Sequence, residues 1–339
     1  MKPRVEVNFD KAERLAFRKK NPEYQPNANE FLLNHARSGL LIALQSLHLP
    51  QGSKVGVMIY NCHTVMNAVA QAGCEVVFID INDNMRIDLG DLEKKSSGLK
   101  ALIVTHLFGI INDIDAIRSQ FPQLPIIEDC AHAFGKEISG DFGVYSIGQG
   151  KLPSLGDGGI LVVNNSRYTD AVRSLYDGLP DYSRLDETKL YVKLLLTDVL
   201  HRRLIYSAFT SHWKQNKKPK SGREQIVAKK MAQGVRAMFA LRKGQVAEQV
   251  KKRLVNAEKE TKCLRNNELV SSVLVGSNAF MLVVRSAHVK ALKIQYAQRG
   301  IETATHFANS ILWAKEFGYQ GDCPNAERLR NELLMIPVY

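Results

Sequence analysis

Across its 339 residues the chain has no uncharged apolar run of about 18 residues, so no membrane-spanning helix is expected. Its first residues, MKPRVEVNFDKAERLAF, show neither the apolar core nor the small-residue cleavage site of a secretory leader. The five cysteines (Cys62, Cys74, Cys130, Cys263, Cys323) are odd in number, scattered and never in CxxC spacing. That argues against a disulfide framework and a zinc site, and for the reduced thiols of a cytoplasmic protein. Internal repeats and low-complexity tracts are missing too. No aromatic residues interleave with a basic stretch, so nucleic-acid binding is not expected.

Positive charge is plentiful, and its location matters more than the formal net charge of +12. Residues 184–262 hold about 20 Lys/Arg against about 7 Asp/Glu, a local net of about +13, and the rest of the chain is close to neutral. A confined basic segment suits an anionic partner such as a membrane surface or a nucleotide-bearing substrate. It reads equally as a solvated helical face.

At 45% hydrophobic residues, the chain can build one large core plus a smaller domain. Residues 35–49 (HARSGLLIALQSLHL) have helical apolar spacing. Short apolar runs of strand type fall at 54–60, 75–81, 101–106 and 124–129, with helical stretches at 65–73 and 113–121 between them. DFGVYSIG and GGILVVNN add two further strands. The alternation predicts an α/β fold, a doubly wound, mostly parallel sheet with helices on both faces. After Asn165 the pattern changes. Residues 189–213 are apolar but interrupted by charge, 215–225 form a polar linker, and 226–265 read as one or two basic helices. Strand and helix patterns from about 273 suggest a smaller C-terminal α/β domain. The expected division is 1–180, 181–265 and 266–339.

Two charges in residues 126–159, IIEDCAHAFGKEISGDFGVYSIGQGKLPSLGDGG, stand out. Asp129 closes a run that reads as a buried strand, where a carboxylate needs a cationic or hydrogen-bonding partner. Lys151 sits in a glycine-rich loop, where desolvation lowers an amine's pKa and makes it nucleophilic. Taken singly, Asp129 reads as a strand-end cap and Lys151 as a surface lysine. Together they offer what pyridoxal phosphate requires. An amine forms the Schiff base, and a carboxylate keeps the pyridine nitrogen protonated. A phosphate needs donors such as a helix N-terminus, and Arg37-Ser38-Gly39 opens a helix.

With THLFG, IIEDCAHAFG, GDFGVYSIGQGK, LGDGGILVVNN, RGIETATHF and GYQGDCPNAERL, most of the chain resembles the fold-type-I nucleotide-sugar aminotransferases, the DegT/StrS family. The resemblance implies that Lys151 carries the Schiff base and moves the proton, and that Asp129 pairs with the pyridinium. It implies that His132 stands near the ring hydroxyl, that Ser146, Arg37 and Ser38 hold the phosphate, and that His306 lies close to the sugar. It further implies a homodimer, an amino donor such as L-glutamate, and a nucleotide-linked keto-sugar acceptor whose product feeds surface polysaccharide. Retention of Lys151 argues against the dehydratase relatives, in which that lysine is replaced.

Several positions depart from the family pattern. Cys62, with His63 beside it, stands where an aromatic residue usually packs on the cofactor ring. Asp177-Gly178 replaces the usual His-Gly. The NxR motif by which a neighbouring subunit reaches the phosphate is missing, and AKKMAQGVRAMFALRKGQ fills its region. These departures leave open a substrate that is not a nucleotide sugar, or a non-catalytic member with a membrane or regulatory role. Residues 189–213 also fit an interfacial helix on an anionic membrane surface, peripheral to the inner face, or a helix packed on a dimer partner.

Overall fold

The computed structural model describes residues 2, 3, 5, 7–202, 204–206, 221–264 and 277–339. A helix not foreseen in the sequence, α1 (Lys11–Lys19), comes first. Asp10 and Glu13 cap it reciprocally, each side chain accepting from the other's backbone N–H. The order continues with β1 (Glu30–Leu33), α2 (Ala36–Ser46), β2 (Lys54–Met58), α3 (His63–Gln71) and β3 (Glu75–Ile79). Next come α4 (Leu89–Lys95), β4 (Leu99–Thr105), α5 (Ile114–Gln120) and β5 (Ile126–Cys130). Then β6 (Phe142–Ser146) and β7 (Gly159–Val163) precede α6 (Thr169–Asp177) and α7 (Arg184–Leu200).

These seven strands form one sheet in the order β1-β7-β6-β5-β4-β2-β3. The five strands from β3 to β6 run parallel. The β7 strand is antiparallel to both β6 and β1. Its orientation follows from the connection, because the loop 147–158 carries no crossover helix and returns the chain beside the strand it left. All five residues of β5 are buried, as expected of a strand covered on both faces. Burying each such Ile or Leu stabilises the fold by about 1.5–3 kcal/mol.

One face of the sheet packs on α2 and α3, with Leu41, Val57, Ala68, Ile103 and Val144 in a common core. The other face packs on the C-terminal region. There α8 (Gln233–Arg242) and α9 (Val246–Thr261) lead to β8 (Leu282–Arg285), α10 (Val289–Gln298), α11 (Ser310–Lys315), α12 (Pro324–Leu329) and β9 (Leu333–Ile336). Antiparallel β8 and β9 make the small second sheet. A third core joins α1, α7 and α8 through Phe17, Leu190, Leu194 and Phe239.

Over the apolar stretch expected at 189–213, α7 ends at Leu200, residues 204–206 are again helical, and Arg203 and residues 207–213 lie outside the described residues. The described end of the polar linker is anchored rather than free. The Gly222 N–H donates to Glu316, and its carbonyl accepts from Asn67 Nδ2. Much of the charge in α8 is spent within the chain. Arg236 pairs with Glu23 at 3.0 Å and Arg242 with buried Glu13 at 2.5 Å.

Candidate active site

A cavity of about 290 Å³ opens beyond the carboxyl ends of the parallel strands, the usual ligand position in such sheets. Glu128 and Asp129 are neighbours in β5 and face opposite sides of it, because strand side chains alternate. Glu128 is fully engaged in the interior. It accepts from the Ser139 and Gly140 N–H groups and lies 2.8 Å from His106 Nε2. His106 Nδ1 accepts from the Asn112 N–H, so its Nε2 carries the proton and donates to Glu128. Cys130 completes this buried cluster, whose His and Glu donor atoms are already in use as a hydrogen-bond knot.

Asp129 faces the cavity instead. Its Oδ1 accepts from the Ala131 N–H at 3.0 Å, and its Oδ2 from the Thr105 hydroxyl at 3.2 Å. Thr105 stands opposite Asp129 in the β4–β5 register, and its hydroxyl accepts from Asn61 Nδ2 at 2.7 Å. Two neutral donors do not offset burial, which pushes the Asp129 carboxyl above its ordinary value. The Ala131 N–H, the Lys151 charge and Thr105 oppose that shift.

Lys151 comes from the β6–β7 loop and lines the same cavity. Burial pulls its amine below the ordinary value, against the opposing pull of Cys62 and Asp129. Its Nζ lies 5.8 Å from the Phe280 ring centroid. His132 stacks on that ring at 4.3 Å, and its Nδ1 accepts from the Phe108 N–H. Burial drives its pKa well down, with Lys151 and His306 adding to the effect. His132 is therefore a neutral imidazole whose Nε2 carries the proton.

The cavity's far end is the start of α2. His35 at the N-cap makes no side-chain capping bond, and Ala36 and Arg37 line the pocket with Ser146. The GDGG turn fixes this end. Asp157 accepts from the Gly158 N–H and from the Tyr182 hydroxyl, and lies 2.9 Å from His35 Nδ1. Gly158 adopts φ +113°, and a Cβ on Gly159 would lie 2.3–2.6 Å from the His35 and Ala36 backbone. Only a glycine lets β7 approach α2 so closely.

The cavity thus brings together Lys151, Asp129, His132, Ser146, Arg37 and Cys62. Two expected residues stand apart. Ser38 is fully buried, its hydroxyl donates to Asn34 Oδ1 at 2.7 Å, and it does not line the cavity. His306 lies one residue off the lining, which Phe307 takes. The His306 carbonyl accepts from the Tyr60 hydroxyl, and its ring sits 6.5 Å from Phe108. His63 turns away to meet Trp313 edge-on at 4.9 Å. Asn61, Thr105 and Asp157 were missed as site residues, although Asp157 sits within the GDGG turn.

The family model for the DegT/DnrJ/EryC1/StrS aminotransferases matches residues 12–192. The chain belongs to this family. It is 30% identical over 175 residues to the UDP-N-acetyl-3-dehydro-alpha-D-glucosamine 3-aminotransferase of Acidithiobacillus ferrooxidans, covering 45% of this chain and 47% of that protein. It is also 30% identical over 149 residues to the GDP-perosamine synthase of Escherichia coli O157:H7, covering 41% and 39%. The matched segment spans less than half the length of these curated relatives. Among solved structures, the aminotransferase TlmJ from Streptoalloteichus hindustanus superposes with a TM-score of 0.76 at 20% identity, over 100% of this chain and 93% of that one. PseC of Helicobacter pylori superposes at 0.71 and 14% identity, over 99% and 93%. At such identities the superpositions establish the α/β aminotransferase fold.

Proposed function

We propose that this family member is a pyridoxal-phosphate-dependent aminotransferase that moves an amino group from L-glutamate to the keto group of a nucleotide-linked sugar. The observation that carries the reading is Asp129 and Lys151 in one cavity, each with its pKa displaced by burial. A scaffold has no physical need for that pair.

The residues present fit the cofactor. Asp129 is a buried carboxylate held by neutral donors, and a pyridinium nitrogen would supply the missing cation. The uncapped start of α2, with Arg37 and Ser146, would hold the phosphate. Neutral His132 has an N–H to offer a ring oxygen. When bound, the cofactor supplies the carbonyl that takes up an amine and the ring that accepts its electrons. Lys151, with a lowered pKa, receives and returns the proton at Nζ. Phe307 and Cys62 narrow the cavity and limit water. The loop glycines give Lys151 its place without bulk beside it.

In this reading residues 1–180 hold the cofactor, 181–265 form an arm toward a second subunit, and 266–339 close the pocket through Phe307 and Phe280. The enzyme acts as a cytoplasmic homodimer, and its amino sugar feeds surface polysaccharide. The names of the relatives support the keto-sugar acceptor. Incubation with ¹⁵N-glutamate and a panel of UDP- and GDP-linked keto sugars tests it. Label in an amino sugar supports the reading. Label passing only to 2-keto acids would place the acceptor outside the sugar nucleotides.

A further inference from the structure

The proposed reaction leaves one face of α7 unused. Its inner face is buried through Glu187, Leu190, Leu194 and Asp198, with Leu194 against the Gly156 turn of the active-site loop. The outer face is apolar and open. Leu185, Val192, Leu196 and Leu200 are 63%, 50%, 59% and 45% exposed, at spacings that keep them on one side. At 1.5 Å per residue the stripe runs for about 22 Å. Leu204, beyond the end of α7, is 86% exposed. Val192, Leu196 and Leu200 line a shallow groove with Lys189 and Lys193.

The charges on this helix are unequally matched. All three of its carboxylates are already paired with cations elsewhere. Asp186 meets Lys229 at 3.3 Å, Glu187 meets Lys20 at 2.5 Å and Asp198 meets Arg14 at 2.6 Å. Lys189 and Lys193 make no ion pair among the described residues, whereas Arg202, although 61% exposed, lies 3.8 Å from Asp198. The open stripe is therefore apolar in the middle and cationic around it. Among the described residues, no helix is long and apolar enough to cross a bilayer.

We propose that α7 docks the protein on an anionic membrane surface. Its apolar stripe enters the boundary between headgroups and acyl chains, and Lys189 and Lys193 stay at the level of the lipid phosphates. The test is co-sedimentation of the full chain with phosphatidylcholine vesicles, with and without about one-third phosphatidylglycerol, at low and physiological salt. Two variants accompany it, Val192→Ser with Leu196→Ser and Lys189→Glu with Lys193→Glu. These side chains are exposed, and a thermal melt checks that the fold is kept. The wild type is expected to bind the anionic vesicles and to weaken with salt. Each variant should lower vesicle partitioning about tenfold at an unchanged melting temperature. Wild type that fails to bind anionic vesicles at low salt overturns the proposal. So do variants that bind as well as wild type. A serine variant that lowers the mass in light scattering but still binds vesicles would show a contact between copies instead, and would also overturn it.

Discussion

Asp129 carries a cost that only a ligand removes. Burial raises its carboxyl from the ordinary value of 3.8. Between that value and the raised one, the folded state holds more protons than the unfolded chain. Cofactor-free stability therefore falls as pH rises through the raised value. Asparagine at this position keeps the shape and does not titrate. In the absence of cofactor, Asp129→Asn should gain in melting temperature relative to wild type as pH climbs from about 4 through this window. A difference that does not change with pH would contradict the carboxylate's assigned state. Asparagine cannot hold a pyridinium nitrogen in its charged form, so turnover should drop at least about 100-fold in a steady-state assay. The pair itself was legible in the sequence, because a carboxylate closing an apolar strand and an amine among glycines are both out of place. The support beneath it was not. Thr105 and Asn61 are ordinary polar residues at strand ends, and only the β4–β5 register aims the Thr105 hydroxyl at Asp129.

The elements that shape the phosphate end are held by backbone contact more than by side chains. Gly159 begins β7 directly against the start of α2, where a Cβ would meet main-chain atoms that cannot step aside. Gly159→Ala should destabilise the protein by about 1–3 kcal/mol in urea unfolding and weaken pyridoxal phosphate binding about tenfold or more. A variant with wild-type stability and affinity would show that this contact does not set the cup. The sequence carried the parallel strands well, since each is a short β-branched run bounded by a turn. Four-residue β1 left no such mark, and α1 is a short, strongly polar helix. That the Ser38 hydroxyl turns to Asn34 was not legible, because which face of a helix is buried depends on packing. That Phe307 rather than its neighbour His306 lines the cavity was not legible either, because one residue's offset in a loop changes which side chain meets it.

For the whole molecule, the arm reading of residues 181–265 predicts a dimer in solution, with a light-scattering mass near twice 38.0 kDa. A mass of one chain at micromolar concentration would remove the second subunit from the account. The three-layer architecture was readable because strand and helix periods alternate along the first half of the chain. The reach of the C-terminal segment was not. Phe307 lines the pocket and Phe280 stacks on His132, both from residues far along the chain, and no local pattern announces such contacts. The most direct test of the central claim is the visible absorption spectrum of the protein incubated with pyridoxal phosphate, beside Lys151→Ala. The account predicts a yellow band in the wild type that L-glutamate bleaches, and no such band in the variant. Identical spectra for the two proteins would contradict it.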